Sequence, residues 1–185
     1  RTTIDTLDYT GAGLNSGSKL VIAAAGEKKR ELDTAVPATL SLPAGFREPR
    51  MALPGVLILE APPALDEESS REEADSLAVR LGETGVPDGI ALVVLTEDSE
   101  FCARNTSNFL WVTFTRSNPS HAIHGAGSFT EHKHWGCRGP LVIDARIKPR
   151  HAPPLIEDPA VSRNVDRLAA QGACFGELCG WERAN

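Results

Sequence analysis

A chain of 185 residues with a net charge of −6 can bury one substantial core, and its 41% apolar and 24% charged content is that of an ordinary globular protein. No apolar run approaches the roughly 20 residues that a membrane helix needs, so a membrane span is excluded. The acidic balance argues against a nucleic-acid partner, because phosphate binding needs concentrated Lys and Arg, and the one basic run, Lys28 to Arg30, is flanked by Glu27 and Glu31.

The first residues, RTTIDTLDYT, have neither the basic start nor the apolar stretch of a signal peptide, and no initiator methionine, so the chain reads as a fragment or processed piece. Cys102, Cys137, Cys174 and Cys179 show no CxxC spacing. Without a secretion signal they are expected as reduced thiols in a cytoplasmic protein.

Along the chain, Gly11 to Lys19 is a Gly-rich segment, and Leu20 to Ala25 is a continuous apolar run that suits a buried strand. The segment Val36 to Pro54 carries Pro37, Pro43, Pro49 and Pro54, each without a backbone donor, and is expected as an ordered loop. Gly55 to Glu60 is a short aliphatic strand. A helix follows: Ser70 and Glu73 form a capping-box pattern, Ala74, Leu77, Ala78 and Leu81 share a face, and Gly82 supplies the stop. Ile90 to Thr96 is a second aliphatic strand, placed after a helix as a parallel crossover requires.

Asn105 to Arg116 is ambiguous from its residues alone. Val112 to Thr115 favour strand by propensity, whereas Asn105 or Thr106 could cap a helix with Phe109, Val112 and Thr113 on one side. Leu141 to Ala145 reads as another buried strand. The last helix is predicted from an Asp158 cap and Pro159 through a buried Val161, Val165, Leu168 and Ala169 to a stop at Gly172. This alternation predicts an α/β layered domain with a mainly parallel or mixed sheet flanked by helices.

Three clusters could carry chemistry. Gly11 to Lys19 superficially has the look of a phosphate-cradling loop, but Ser18 stands between the last Gly and Lys19, and a structural turn is preferred. Glu131, His132, Lys133, His134 and Cys137 form the densest polar group. In an extended segment His132 and His134 would share a face, with Cys137 as a thiolate, which makes a metal chemically possible although the spacing matches no standard zinc pattern. Trp135 among them suggests a packed loop instead. Asp144 and Arg146, two apart at a strand end, would point the same way and pair.

Several motifs together resemble the UbiD-type decarboxylase family. Ile4 to Lys19, IDTLDYTGAGLNSGSK, is similar to its Gly-rich segment ending in GSK; Ile90 to Asp98 and Phe109 to Pro119 are similar to its acidic-ended strand and LW-containing helix; Asn108 to Pro154 is similar to its C-terminal region, and His132 to Pro154 within it to a longer subgroup. The resemblance tips Asn105 to Arg116 toward helix. In short family members the GSK segment follows the LW helix, whereas here it precedes it by roughly ninety residues, too long for an ordinary connection. Residues 1–60 are therefore set apart as a Gly/Pro-rich segment, assignable to a neighbouring subdomain, from an α/β domain over 61–185.

The resemblance implies a prenylated FMN with a divalent metal (Mn) and potassium, because the electron pair left by departing carbon dioxide needs a sink that side chains do not supply. The family's Arg-Glu-Glu catalytic set lies in its N-terminal domain, and no motif for it is present here. The implied role is assembly into a dimer or higher homo-oligomer and closure over a site in the N-terminal catalytic domain. Lys19, His132, His134 and Arg146 are the contact candidates, no catalytic residue is assigned, and the chain alone is expected to be inactive. The alternatives are a non-catalytic assembly subunit partnering a separate catalytic chain, and a metal-binding module on His132, His134 and Cys137.

Overall fold

The computed structural model describes residues 25–85, 88–149, 151–152 and 156–170. Lys19 with the whole GSK segment, residues 20–24 of the expected first strand, Cys174, Cys179 and Gly172 lie outside them. The chain divides into two compact units, Arg1–His151 and Ala152–Asn185.

In the first unit a β-hairpin leads into parallel strands. Strand β1 (Arg47–Leu53) pairs antiparallel with β2 (Val56–Glu60) across Pro54 and Gly55. Gly55 has φ of +74°, and a Cβ there would lie 2.8 Å from Leu32 Cδ2, so proline followed by glycine makes this turn where few other pairs could. Helix α1 (Glu67–Thr84) returns the chain to β3 (Leu92–Thr96), which pairs parallel with β2. The short α2 (Ser99–Ala103) and α3 (Thr106–Arg116) follow, then β4 (Ile123–Gly125), a hairpin of β5 (Ser128–Glu131) and β6 (His134–Cys137), and β7 (Leu141–Asp144).

The main sheet has the order β1-β2-β3-β7-β4, with β2, β3 and β7 parallel and both outer strands antiparallel. It is the mixed, helix-flanked α/β sheet that the alternation of elements predicts. Strand side chains alternate between its faces. Leu57, Leu59, Val93, Leu95 and Val142 bury against Ala74, Leu77, Ala78 and Leu81 of α1. Ile58, Val94 and Ile143 bury against Cys102, Phe109 and Val112 on the other face. Strands sandwiched between two helical layers read as unbroken aliphatic runs for this reason. The sheet takes strands from both sides of residue 60.

Three local readings change. The proline-rich segment is not loop throughout, since Arg47–Leu53 is a strand. Pro49 is tolerated there because β1 is an edge strand, and the pairing shifts between Arg47 and Arg50, where Glu48 adopts φ of +46°. The helix over 67–84 is capped by Asp66, whose carboxylate accepts from the Ser69 amide at 2.8 Å, so Ser70 lies inside its first turns and donates to the Asp66 carbonyl.

That helix also runs through Gly82 and ends against Gly85, at φ of +73°. A Cβ at Gly82 would stand 2.7 Å from the Gly127 amide nitrogen, so this glycine permits a close backbone approach rather than a stop. The ambiguous segment is helical: Asn105 accepts from the Asn108 amide at 2.8 Å, and Phe109, Val112 and Thr113 are buried.

In the second unit, α4 (Pro159–Ala169) starts as its sequence predicts, with the Asp158 carboxylate accepting from the Ala160 amide at 2.7 Å. None of its residues is buried, and Val161 and Val165 are exposed where burial was expected. Among the described residues no helix is long and apolar enough to cross a membrane.

Candidate functional site

In open α/β sheets, polar side chains and ligands gather beyond the carboxyl ends of the parallel strands. Here β2 ends in Glu60, β3 runs into Glu97 and Asp98, and β7 ends in Asp144 with Arg146 and Lys148 just beyond. Arg146 is fully buried.

A guanidinium has five N–H donors. Those of Arg146 meet five acceptors: Nε donates to Asp144 Oδ1 at 2.9 Å, and Nη2 to Asp144 Oδ2 at 3.0 Å and to the Ser70 carbonyl at 2.8 Å. Nη1 donates to the Pro62 carbonyl at 2.8 Å and to the Glu73 carboxylate. No donor is left over. The pair expected from the Asp144 and Arg146 spacing is thus one part of a clamp that ties the end of β7 to the start of α1 and to the loop after β2.

Lys148 adds a second cation, with Nζ 3.2 Å from Asp144 Oδ2 and within 3.5 Å of the Asp144 and Arg146 carbonyls. Burial alone would push the Asp144 carboxyl up, but its hydrogen bonds from Arg146 and the charges of Lys148 and Arg146 outweigh that and hold it below its usual 3.8. Burial works against the Arg146 charge too, and Asp144 and Glu73 more than compensate, raising its pKa.

The neighbouring strand ends are pinned in the same way. Glu97 accepts from Arg116 Nη1 at 3.2 Å and from the Ile147 amide, while Arg116 lies 5.2 Å over the Trp111 ring. Glu60 accepts from Arg47 Nε at 3.0 Å and meets the Ser99 amide at the start of α2. Carboxylates engaged by cations and amides fix geometry, but they offer no ready general base.

The other expected cluster is reshaped by a turn. His132 and Lys133, with φ of 50° and 66°, form the tight connection between β5 and β6, the two positive φ values that a type I′ hairpin turn demands and that Asn-Gly adopts more easily. His132 is therefore exposed at the hairpin tip and shares no strand face with His134, which starts β6 and whose side chain is outside the described residues. The packed loop expected around Trp135 is a hairpin, and the Trp135 side chain is half-exposed. Cys137 donates to the Gly139 carbonyl at 3.4 Å, and burial raises its thiol pKa, which disfavours the thiolate that a metal or a nucleophilic role would use.

Sequence reasoning missed two partnerships. Glu73, read as part of a cap, is a partner of Arg146. His124 on β4 is buried with Nδ1 2.6 Å from Asp75 Oδ1 of α1, and its Nε2 has no hydrogen-bond partner among the described residues. The two residues are far apart in sequence, and no local pattern could have joined them.

A flavin held with a divalent metal and potassium calls for several converging oxygen or nitrogen ligands. Among the described residues no group of three or more His, Cys, Asp or Glu is placed to hold a metal ion. The described residues do not fit that divalent metal.

No protein-family model matches the chain. A protein of Chlamydia trachomatis serovar D without an assigned function is 34% identical over 164 residues, 87% of this chain and 26% of that protein. A Chlamydia pneumoniae protein named as one subunit of a 4-hydroxybenzoate decarboxylase is 30% identical over 170 residues, again 87% of this chain and 26% of that protein. The chain thus spans about a quarter of the length of the curated relatives it matches. The open form of the Sedimentibacter hydroxybenzoicus vanillic acid decarboxylase matches 60% of this chain and 26% of its own at 17% identity, with a TM-score of 0.36.

Proposed function

The chain is related to the UbiD-type decarboxylases, and on that premise we propose that it forms the assembling and active-site-closing portion of a cytoplasmic carboxy-lyase acting on an aromatic or unsaturated acid. Prenylated FMN, manganese and potassium are held, in this reading, by the N-terminal remainder of the protein. The whole enzyme is a dimer or higher homo-oligomer.

One observation carries the reading. The polar groups at the strand ends are spent on one another, while Leu110, Trp111 and Phe114 on α3 stand exposed together. Large apolar side chains clustered at a surface are the material of an interface. A wall built this way excludes water from a neighbouring site and contributes no proton carrier of its own.

The Chlamydia pneumoniae relative is named as one subunit of a multi-subunit decarboxylase, which favours a second reading, a non-catalytic subunit paired with a separate catalytic chain. Flavin binding and co-purification test both. In the first reading the 185-residue chain binds no flavin while the longer protein that contains it does. A stoichiometric second polypeptide purifying with the chain selects the second reading, and flavin bound by the chain alone contradicts both.

A further inference from the structure

Two arginines of the first unit share one carboxylate, Glu100, without a directed hydrogen bond to it. Arg146, Arg116 and Arg47 each place a guanidinium N–H on a carboxylate oxygen at hydrogen-bond distance. Among the described residues Arg50 of β1 makes only loose ion pairs, 3.6 Å to Glu100 and 3.7 Å to Glu48. Arg104, at the end of α2, lies 3.9 Å from the same Glu100 and 5.8 Å over the Phe101 ring. Contacts of that length are Coulombic attractions without directed N–H···O bonds.

Both arginines line one cleft of about 470 Å³. Val36, Met51 and Ala103 contribute apolar wall, and Glu100 is the one carboxylate in its lining. The cleft thus combines two guanidinium forks holding unspent donors, one counter-charge shared by both in Glu100 with Glu48 beside Arg50, and apolar surface of a size that accommodates a small molecule. A fork of this kind matches the two oxygens of a carboxylate or phosphate, and the apolar walls suit a short hydrocarbon body attached to it.

We propose that this cleft between β1 and α2 binds a small organic oxyanion, the anionic head held by Arg50 and Arg104 and the apolar body against Val36, Met51 and Ala103. Glu100 occupies the arginines in the ligand's absence and competes with it. The site lies on the β1 edge of the sheet, separate from the clamp around Arg146, and does not depend on the decarboxylase reading.

The test titrates the whole 185-residue chain with butyrate, with its neutral counterpart butyramide and with inorganic phosphate, following backbone amide shifts. Butyrate is expected to give saturable shifts at Ala35, Met51 and Arg104 that butyramide does not. Arg50→Gln and Arg104→Gln each weaken it about tenfold, as the loss of a charge-assisted hydrogen bond predicts. Glu100→Gln tightens it, and Arg71→Gln on α1 leaves it unchanged. Saturable binding of phosphate more tightly than butyrate keeps the two arginines as an oxyanion site and removes the role of the apolar walls. Linear shifts, or shifts equal in the Arg50→Gln and Arg104→Gln proteins, overturn the proposal.

Discussion

Arg146 and Arg104 carry the same guanidinium in opposite circumstances. Arg146 is buried with all five donors spent on Asp144, Glu73 and the carbonyls of Ser70 and Pro62. Arg104 is exposed, with one long ion pair and a ring beneath it. Inside the sheet the charge is an internal fastener whose removal strands its partners, whereas at the surface it costs the fold little to hold and stays available to something else. The strand-end cluster, where topology first directs a search for a ligand, is therefore the more structural of the two regions.

The sharpest way to break the comparison is to neutralise each arginine. Arg146→Met leaves Asp144 and Glu73 without their main partner and is expected to lower unfolding stability by about 3–5 kcal/mol. Arg104→Gln, by contrast, should change it by less than about 1 kcal/mol. Urea denaturation of the two variants reads the difference directly, and similar losses in both would erase the distinction.

The same contrast predicts the acid limb of stability. The folded-state carboxyl of Asp144 lies below its ordinary 3.8, so its contribution is fully present above that value and fades as pH falls through the lower folded value. Unfolding midpoints measured from about pH 5 to about pH 2 should fall below about pH 4 in the parent protein, with a shallower fall in Arg146→Met. An unchanged slope in the variant would show that other carboxylates govern the acid limb.

A smaller effect sits at the hairpin tip. His132 and Lys133 hold positive φ without the freedom of Asn-Gly, so the double substitution to Asn and Gly should stabilise the chain by roughly 1 kcal/mol. A thermal melt that falls instead would mean that the His132 or Lys133 side chain makes a contact worth more than the backbone strain.

What the sequence made legible was what local chemistry decides. The aliphatic runs over 55–60, 90–96 and 141–145 announce the buried strands Val56–Glu60, Leu92–Thr96 and Leu141–Asp144, and Asp144 with Arg146 announces a pair because alternate strand residues point the same way. Hidden was what distant partners decide. Gly82 looks like a helix stop until Gly127 is brought against it, and Ser70 and Glu73 look like a cap until Arg146 arrives from beyond the end of β7. The H-x-H spacing implied one face only for an extended segment, and the turn at His132 and Lys133 removed that premise. The motif resemblance identified the kin but assigned no catalytic residue in the matching region.

In the proposed reading this chain closes and assembles a decarboxylase without performing the chemistry. Carbon dioxide release from aromatic and unsaturated acids, measured with reconstituted prenylated FMN, manganese and potassium, tests that division of labour most directly. Release by the longer protein and none by the 185-residue chain alone is the expected result. Turnover by the isolated chain would contradict it.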